Sequence, residues 1–396
     1  MAKVLSAGVD TLIINAKRAD DLQPEDGETD NHDPAEQLSE EMVGQLEHWQ
    51  SVAKNTNEPF PTSWEHEKVT LKMHPKGTST CRWLLKNGLI DLMIGSHLNN
   101  SALARVRFSS EYLWKRGVDA ALGNTHAFLM SIFQEYLRLQ PAEIHLCADI
   151  VGLRVPRNYE RVFVSHAALR RPIKISELDS PVYRYHRLQT LQFSGHGNAV
   201  SAVIYDKPAE IEKQSPHKRW LYDYWAARGW NRTDPVWRNE CRIERKGLHE
   251  MSIEDAYDAI EKVPALWAYC VGHAGEKNGW LRMVTPNVHD SNRRRWKTDP
   301  AWVEIQKAFS EDWRGYDDMD AIQRERKRSV NLEAAEKAIA GYTTTYGAWL
   351  QQELGPHDDA SIVLQRLYGK MLEQWEKKGE DFQTLRLKKQ YLYNLS

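Results

Sequence analysis

Four cysteines in 396 residues, Cys81, Cys147, Cys241 and Cys270, stand far apart with no CxxC pair among them. That scarcity and spacing exclude a disulfide framework and a zinc ribbon, and predict buried thiols in a reducing compartment. No run approaches the roughly 18 to 20 apolar residues that a membrane span needs. The start, Met1-Ala2-Lys3 and then a short apolar stretch from Val9 to Ile14, is too brief and mixed for a signal peptide. A cytoplasmic protein with no membrane contact is expected. Internal repeats of fixed period, low-complexity tracts and coiled-coil heptads are also missing. What is there suits a globular protein of two or three domains: 41% hydrophobic residues, 27% charged residues and 15 tryptophans.

A formal net charge of −2 hides an uneven distribution. Residues 1–50 hold 3 basic and 12 acidic side chains, whereas residues 51–396 hold 50 basic and 43 acidic, so a mildly basic body follows an acidic start. The segment from Ala19 to Glu41 has too few apolar residues to pack, and residues 1–35 are therefore predicted to be a disordered acidic arm. Such an arm either solubilises the chain or competes with a polyanion for the basic body.

Leu38, Met42, Leu46 and Trp49 recur at helical spacing, so a helix opens the ordered part. Short β-compatible runs at 68–73, 81–85, 89–94 and 102–108, separated by Gly, Asn and Pro, read as a meander. Two helices over about 110–121 and 125–139 come next, then strands at 143–151, 161–165, 190–193, 199–205 and 235–246. Beyond residue 252 the pattern is mostly helical. These elements predict an α+β fold: a mainly antiparallel central sheet flanked by helices, with a helical C-terminal region. The domain boundaries expected are 36–300 for the α+β body and 301–396 for the helical region, a candidate DNA- or partner-binding part.

Three strands place polar groups where a strand normally shows an apolar face. A period of two aligns Glu143, His145, Cys147 and Asp149; Arg238, Glu240, Arg242 and Glu244; and Tyr205 with Lys207. His145, Asp149 and Glu240 make a mixed N/O donor set suited to Mg²⁺ or Mn²⁺, able to polarise a phosphodiester oxygen. Tyr205 would be the nucleophile, with Lys207 supplying the positive charge a phenolate needs at neutral pH. Plainer readings stand beside these. Asp149 can be a strand-end turn acid, His145 a satisfied core histidine, Tyr205 an ordinary strand aromatic, and Glu240 with Arg238 and Arg242 a cross-strand ion-pair ladder.

The acid-bearing strand, then Ala202-Val203-Ile204-Tyr205-Asp206-Lys207-Pro208-Ala209-Glu210, then Val236-Trp237-Arg238-Asn239-Glu240-Cys241-Arg242, resembles the replication initiation factor family over roughly residues 68–300. That family comprises rolling-circle plasmid and phage initiators and related relaxases of conjugative elements. Segments 106–113 and 290–296 are similar to segments of its bacterial members. The resemblance implies a nicking-initiator-like fold and site-specific nicking of one DNA strand, with a 5′-phosphotyrosyl link and a free 3′-hydroxyl. Tyr205 is then the nucleophile, Lys207 an active-site cation, and Asp149 and Glu240 metal ligands. His145 departs from the pattern, standing where the family usually shows an earlier aspartate. Gln192 occupies the place of a second tyrosine found in some members, and Tyr183 and Tyr185 are fallback nucleophiles.

The partners implied are single-stranded or cruciform origin DNA, a host helicase and a second copy of the chain. Phosphates would be met by Arg238 and Arg242 and by the cluster Arg293, Arg294 and Arg295, with Trp296 stacking on an unpaired base. No His-x-His occurs, so the histidine-pair metal site of most relaxases is missing, and no His-x-x-Arg occurs, which disfavours a tyrosine recombinase. Two other readings compete. One is a non-catalytic origin-binding regulator that keeps the fold; the other is a metal-dependent nuclease that uses water.

Overall fold

Val9, Leu12, Ile14 and Ala16 face the main hydrophobic core from strand β1 (Lys3–Arg18), while Ser6, Gly8 and Thr11 sit on its other side, paired in turn with Asp149, Cys147 and His145. The structure is a computed structural model and describes residues 2–18, 38–95, 102–156, 159–167, 182–184, 187–195, 197–309, 332–354 and 360–393. Strand β1 lies in the middle of an eleven-stranded sheet, between β6 (Ala104–Phe108) and β7 (Leu137–Val151). Outward from β6 run β5 (Ile90–Ile94), β4 (Trp83–Lys86), β3 (Val69–Met73) and β2 (Phe60–His66). Outward from β7 run β12 (Val236–Glu244), β11 (Val200–Asp206), β10 (Arg187–Phe193) and β9 (Val182–Arg184). Every pairing in this sheet is antiparallel. A separate pair joins β8 (Phe163–Ser165) to β13 (Leu281–Met283).

One face of the sheet carries the main core. Leu92, Val106, Ile14, Leu146, Ile243 and Ile204 pack there under α1 (Glu40–Thr56), α3 (Val118–Phe133), α6 (Arg245–Glu250), α7 (Ala256–Glu261), α8 (Val263–Val271) and α9 (Pro300–Gln306). Helix α1 starts where Ser39 caps the Met42 amide, and its buried side, Leu46, Trp49 and Ala53, is the stripe that its spacing predicts. On the other face, at the Asp149 end, α4 (Lys207–Lys213) and α5 (Trp220–Ala226) build a satellite core from Leu5, Ile211, Leu221, Trp225, Trp230 and Val236. Helix α2 (Ser110–Arg116) lies against β1 and brings the Trp114 indole over Gly8 so closely that an added Cβ would meet the ring at 3.0 Å. The fold is α+β with a central antiparallel sheet, as expected.

Three expectations change. Residues 3–18 are not part of an arm, because they supply a central strand with a partner on both sides; the remainder of the proposed arm, 19–35, lies outside the described residues. The second of the two early helices ends at Phe133, with Gln134 as a left-handed cap, and Leu137 already begins β7. The boundary placed at 300 falls later. Helix α9 buries Trp302 and Ile305 in the main core, and the chain divides into Met1–Arg324 and Glu325–Ser396. The second unit contains α10 (Leu332–Leu354), α11 (Ala360–Lys377) and α12 (Phe382–Tyr393), with Leu350 and Val363 buried and Tyr342, Trp349 and Tyr368 exposed. Among the described residues no helix is long and apolar enough to cross a membrane.

The central place of β1 has a measurable consequence. Leu12 is fully buried, so Leu12→Ala should lower unfolding free energy by about 3 kcal/mol in urea titration, as a truncated core leucine does. An unchanged midpoint would mean that this segment is not part of the folded sheet.

Candidate active site

Strand pairing sets a transverse row across five strands, in which Thr190 opposes Tyr205, Tyr205 opposes Arg238, Arg238 opposes Asp149, and Asp149 opposes Ser6. In the next row Val203, Glu240, Cys147 and Gly8 align, and in the one after it Ser201, Arg242, His145 and Thr11. Cross-strand neighbours share a face, so the polar groups of β11, β12, β7 and β1 meet on the side away from the main core. Between Val9 and Thr11 the β1 register shifts, and the residue it leaves over is Asp10. Asp10 was not identified from the sequence. Its signal was there: a lone acid inside the apolar stretch from Val9 to Ile14.

Tyr205 is half-buried, and its hydroxyl donates to Glu240 Oε2 at 2.9 Å. Lys207 Nζ donates to the same phenolic oxygen at 3.3 Å and also lies 2.7 Å from Glu210. Lys207 reaches this position from the first turn of α4, one residue past the end of β11, where Asp206 caps the helix by accepting from the Ala209 amide. Burial pushes the Tyr205 phenol well above its ordinary range, and the Glu240 carboxylate adds to the effect. Burial, and then the Arg238 charge, lower Lys207. On Glu240 burial acts upward, but His145, Arg242 and Arg238 outweigh it and hold the acid well below the usual carboxylate range.

The three residues expected to ligate a metal are not gathered. His145 and Asp149 are four residues apart on one strand face, about 13 Å along β7. Both oxygens of the fully buried Asp149 accept from Arg238, Oδ1 from Nε at 2.6 Å and Oδ2 from Nη2 at 2.8 Å. Ser6 Oγ at 2.7 Å and Trp225 Nε1 at 3.1 Å complete its shell. Each nitrogen of His145 faces a carboxylate, Nε2 that of Glu143 and Nδ1 that of Glu240, the latter at 3.1 Å. Both Glu240 oxygens are also occupied, since Oε1 further accepts from Arg242 Nε at 2.9 Å. Among the described residues no group of three His, Cys, Asp or Glu side chains is arranged to hold a metal ion. His145, Asp149 and Glu240 therefore do not fit Mg²⁺ or Mn²⁺, because cations of the chain already hold the ligand atoms.

Burial lowers the His145 pKa, but hydrogen bonds to Glu143 and Glu240 outweigh it and raise the group from 6.5 to about 9. A pKa raised on folding adds stability that is complete below pH 6.5 and is lost as pH rises through about 9. For a shift of this size the contribution is about 3 kcal/mol. Chemical denaturation between pH 6.5 and 9.5 should show this decline in the parent protein and a nearly flat profile in His145→Gln. Equal slopes in the two proteins would remove the imidazolium from the cluster.

The residues expected on DNA separate into two groups. Arg238 is fully buried, and besides Asp149 it binds Asp10 Oδ1 at 2.6 Å, so it is an internal tie and not a phosphate contact. Arg242 is partly exposed at the edge of the cluster, with its Nε on Glu240. Arg293, Arg294 and Arg295 form an exposed single turn. The buried Arg282 holds this turn from beneath by donating to the Arg294 and Trp296 carbonyls, each at 2.9 Å. Arg295 pairs with Asp290 at 2.9 Å, Arg293 donates to the Glu160 carbonyl, and the half-buried Trp296 spends its N–H on the Asp290 carbonyl. Of the fallback nucleophiles, Tyr183 is in β9, whereas Tyr185 lies outside the described residues. A further basic stretch, Arg324-Glu325-Arg326-Lys327-Arg328, lies outside the described residues.

No protein-family model matches the chain, and neither does any curated protein. Among solved structures, one that this chain matches remotely is described as "Structure of Rolling Circle Replication Initiator Protein from Geobacillus stearothermophilus". The identity is 12% and the TM-score 0.39, over 77% of this chain and 96% of that chain. A likeness so remote transfers no residue role and no activity.

Proposed function

We propose that the protein is a rolling-circle replication initiator or relaxase that nicks one DNA strand by attack of Tyr205 on a phosphodiester. The observation that carries this reading is the contact of one phenolic oxygen with a carboxylate at 2.9 Å and an ammonium at 3.3 Å. A nucleophile within reach of both a proton acceptor and a cation is what phosphoryl transfer to a hydroxyl requires. The sequence resemblance around Tyr205 and Glu240 supplies the substrate class, DNA, and the products, a 5′-phosphotyrosyl link and a free 3′-hydroxyl. In this reading Tyr205 attacks, Glu240 orients its hydroxyl as a hydrogen-bond acceptor, and Lys207 stabilises the phenolate; the divalent ion that the resemblance implies has no step assigned to it.

The test is covalent capture. Labelled single-stranded origin DNA should form a protein adduct that survives denaturation, and the modified peptide should contain Tyr205. A second reading, a non-catalytic origin-binding regulator, is favoured by the elevated Tyr205 pKa. It predicts salt-sensitive DNA binding with no adduct under any metal.

A further inference from the structure

We infer that the cleft between α2 and α5 is a stacking site for one unpaired base of the DNA strand that Tyr205 attacks, with Arg228 meeting the phosphate beside that base. This rests on the nicking reading and names where its substrate lies. The cleft measures about 450 Å³. Pockets that take a single small molecule span roughly 300–1,000 Å³. Trp114 of α2 forms one wall, and Trp220 and Tyr224, one turn apart on α5, form the other. Both walls are tied to the sheet row that carries Tyr205. Asp10 accepts from Ser110 at the start of α2 at 2.9 Å and from Lys218, just ahead of α5, at 3.4 Å. Trp225 of α5 donates to Ser6 and Asp149. Trp114 lies over Gly8, and Gly8 is two strand spacings, about 10 Å, from Glu240 across β7. A DNA strand seated at the phenol can therefore reach the cleft with a neighbouring base.

Rings and charge together select the occupant. The planes of Trp114 and Tyr224 meet at 83° with centroids 5.5 Å apart, and those of Trp114 and Trp220 at 58° and 6.0 Å. The three half-buried rings thus make an open corner and not a closed stack. The indole nitrogens of Trp114 and Trp220 are buried without an acceptor, so these side chains offer apolar surface, which a flat unsaturated ring covers by stacking. Arg228 Cζ stands 3.6 Å over the Tyr224 ring. Its Nη1 donates to the Tyr224 carbonyl at 3.2 Å, and the rest of its fork has no partner among the described residues. At the rim Lys115 pairs with Glu111, and Asp223 with Arg232, so these charges cancel locally. Arg228 has no carboxylate partner among the described residues, and it leaves the cleft positive. An apolar side chain of another protein would fill the corner without using that charge. A nucleotide uses both, base against rings and phosphate against guanidinium.

Fluorescence anisotropy of the full chain with a labelled oligothymidylate, and with a backbone of equal length that lacks its bases, tests the site. The parent should bind the oligothymidylate about 5–150-fold more tightly than the abasic strand, the range for one stacked base. Tyr224→Leu keeps apolar volume against the satellite core and should close most of that gap while leaving the abasic strand's affinity unchanged. Arg228→Ala, at an exposed position, should weaken both strands and make the slope of log K against log salt shallower by about 0.7. Adduct formation on single-stranded origin DNA is scored with the same proteins. Equal binding of the two strands by the parent, or a gap unchanged in Tyr224→Leu, overturns the inference, and an adduct from the parent then leaves the nicking reading standing. Should Tyr224→Leu fail to fold, an unchanged salt slope in Arg228→Ala overturns it instead. A gap that closes in Tyr224→Leu with no adduct from the parent supports the stacking site and overturns the nicking reading.

Discussion

Tyr205→Phe is expected to abolish the covalent adduct completely while leaving a folded protein. The substitution removes one oxygen atom and keeps the ring, so packing in β11 is unchanged. The energetic consequence is local. Glu240 Oε2 loses the donor it now has at 2.9 Å, while Oε1 keeps His145 and Arg242, and Lys207 keeps Glu210. One buried acceptor left unsatisfied costs about 1–2 kcal/mol, measurable as a modest fall in the urea midpoint. Loss of the adduct together with a small stability change separates chemistry from folding. An adduct of parental yield in Tyr205→Phe would reject Tyr205 as the nucleophile, and the labelled peptide would then show whether Tyr183 takes that role.

How much of this site could be read from the sequence follows from what alternation encodes. A period of two states which residues of one strand share a face, and it placed His145 with Asp149 and Arg238 with Glu240 and Arg242 correctly. It does not state which strands are neighbours or in what register. The Arg238–Asp149 pair, separated by 89 residues, therefore appears only once β12 lies beside β7. Asp10 was harder still, because its position depends on a bulge in a strand whose short apolar run looked like a minor N-terminal feature. The expected cross-strand ladder around Glu240 is not what forms: Arg242 pairs with Glu240 along the same strand, while Arg238, two residues before Glu240, turns to Asp149 and Asp10. The metal trio did not come together for a related reason. Donor types on a common face describe possible ligands, and they are silent about the guanidinium and imidazolium groups that reach those ligands first.

Replacing Arg238 with methionine, which keeps most of the side-chain volume, should cost about 3–5 kcal/mol, the range for removing one partner of a buried ion pair. Asp149 would lose both hydrogen bonds from Arg238 to a neutral stem, keeping only Ser6 and Trp225 as donors, and Asp10 would keep Ser110 and the more distant Lys218. The pH dependence identifies the source of the loss. Burial pushes the Asp10 carboxyl up, yet Arg238 and Lys218 together hold it well below its ordinary value of 3.8. A depressed carboxylate contributes stability that is present above its unfolded pKa and is lost as the pH falls through the folded one. Without Arg238 that depression is relieved, so the gap between parent and variant should narrow as the solution is taken below about pH 4. Adding Asp149→Asn to the variant should recover part of the loss, because it removes one of the two stranded charges. A gap that stays constant in acid, together with no recovery in the double variant, would mean that the guanidinium acts by filling space and that charge plays no part in holding β1, β7 and β12 together at the reacting end of the sheet.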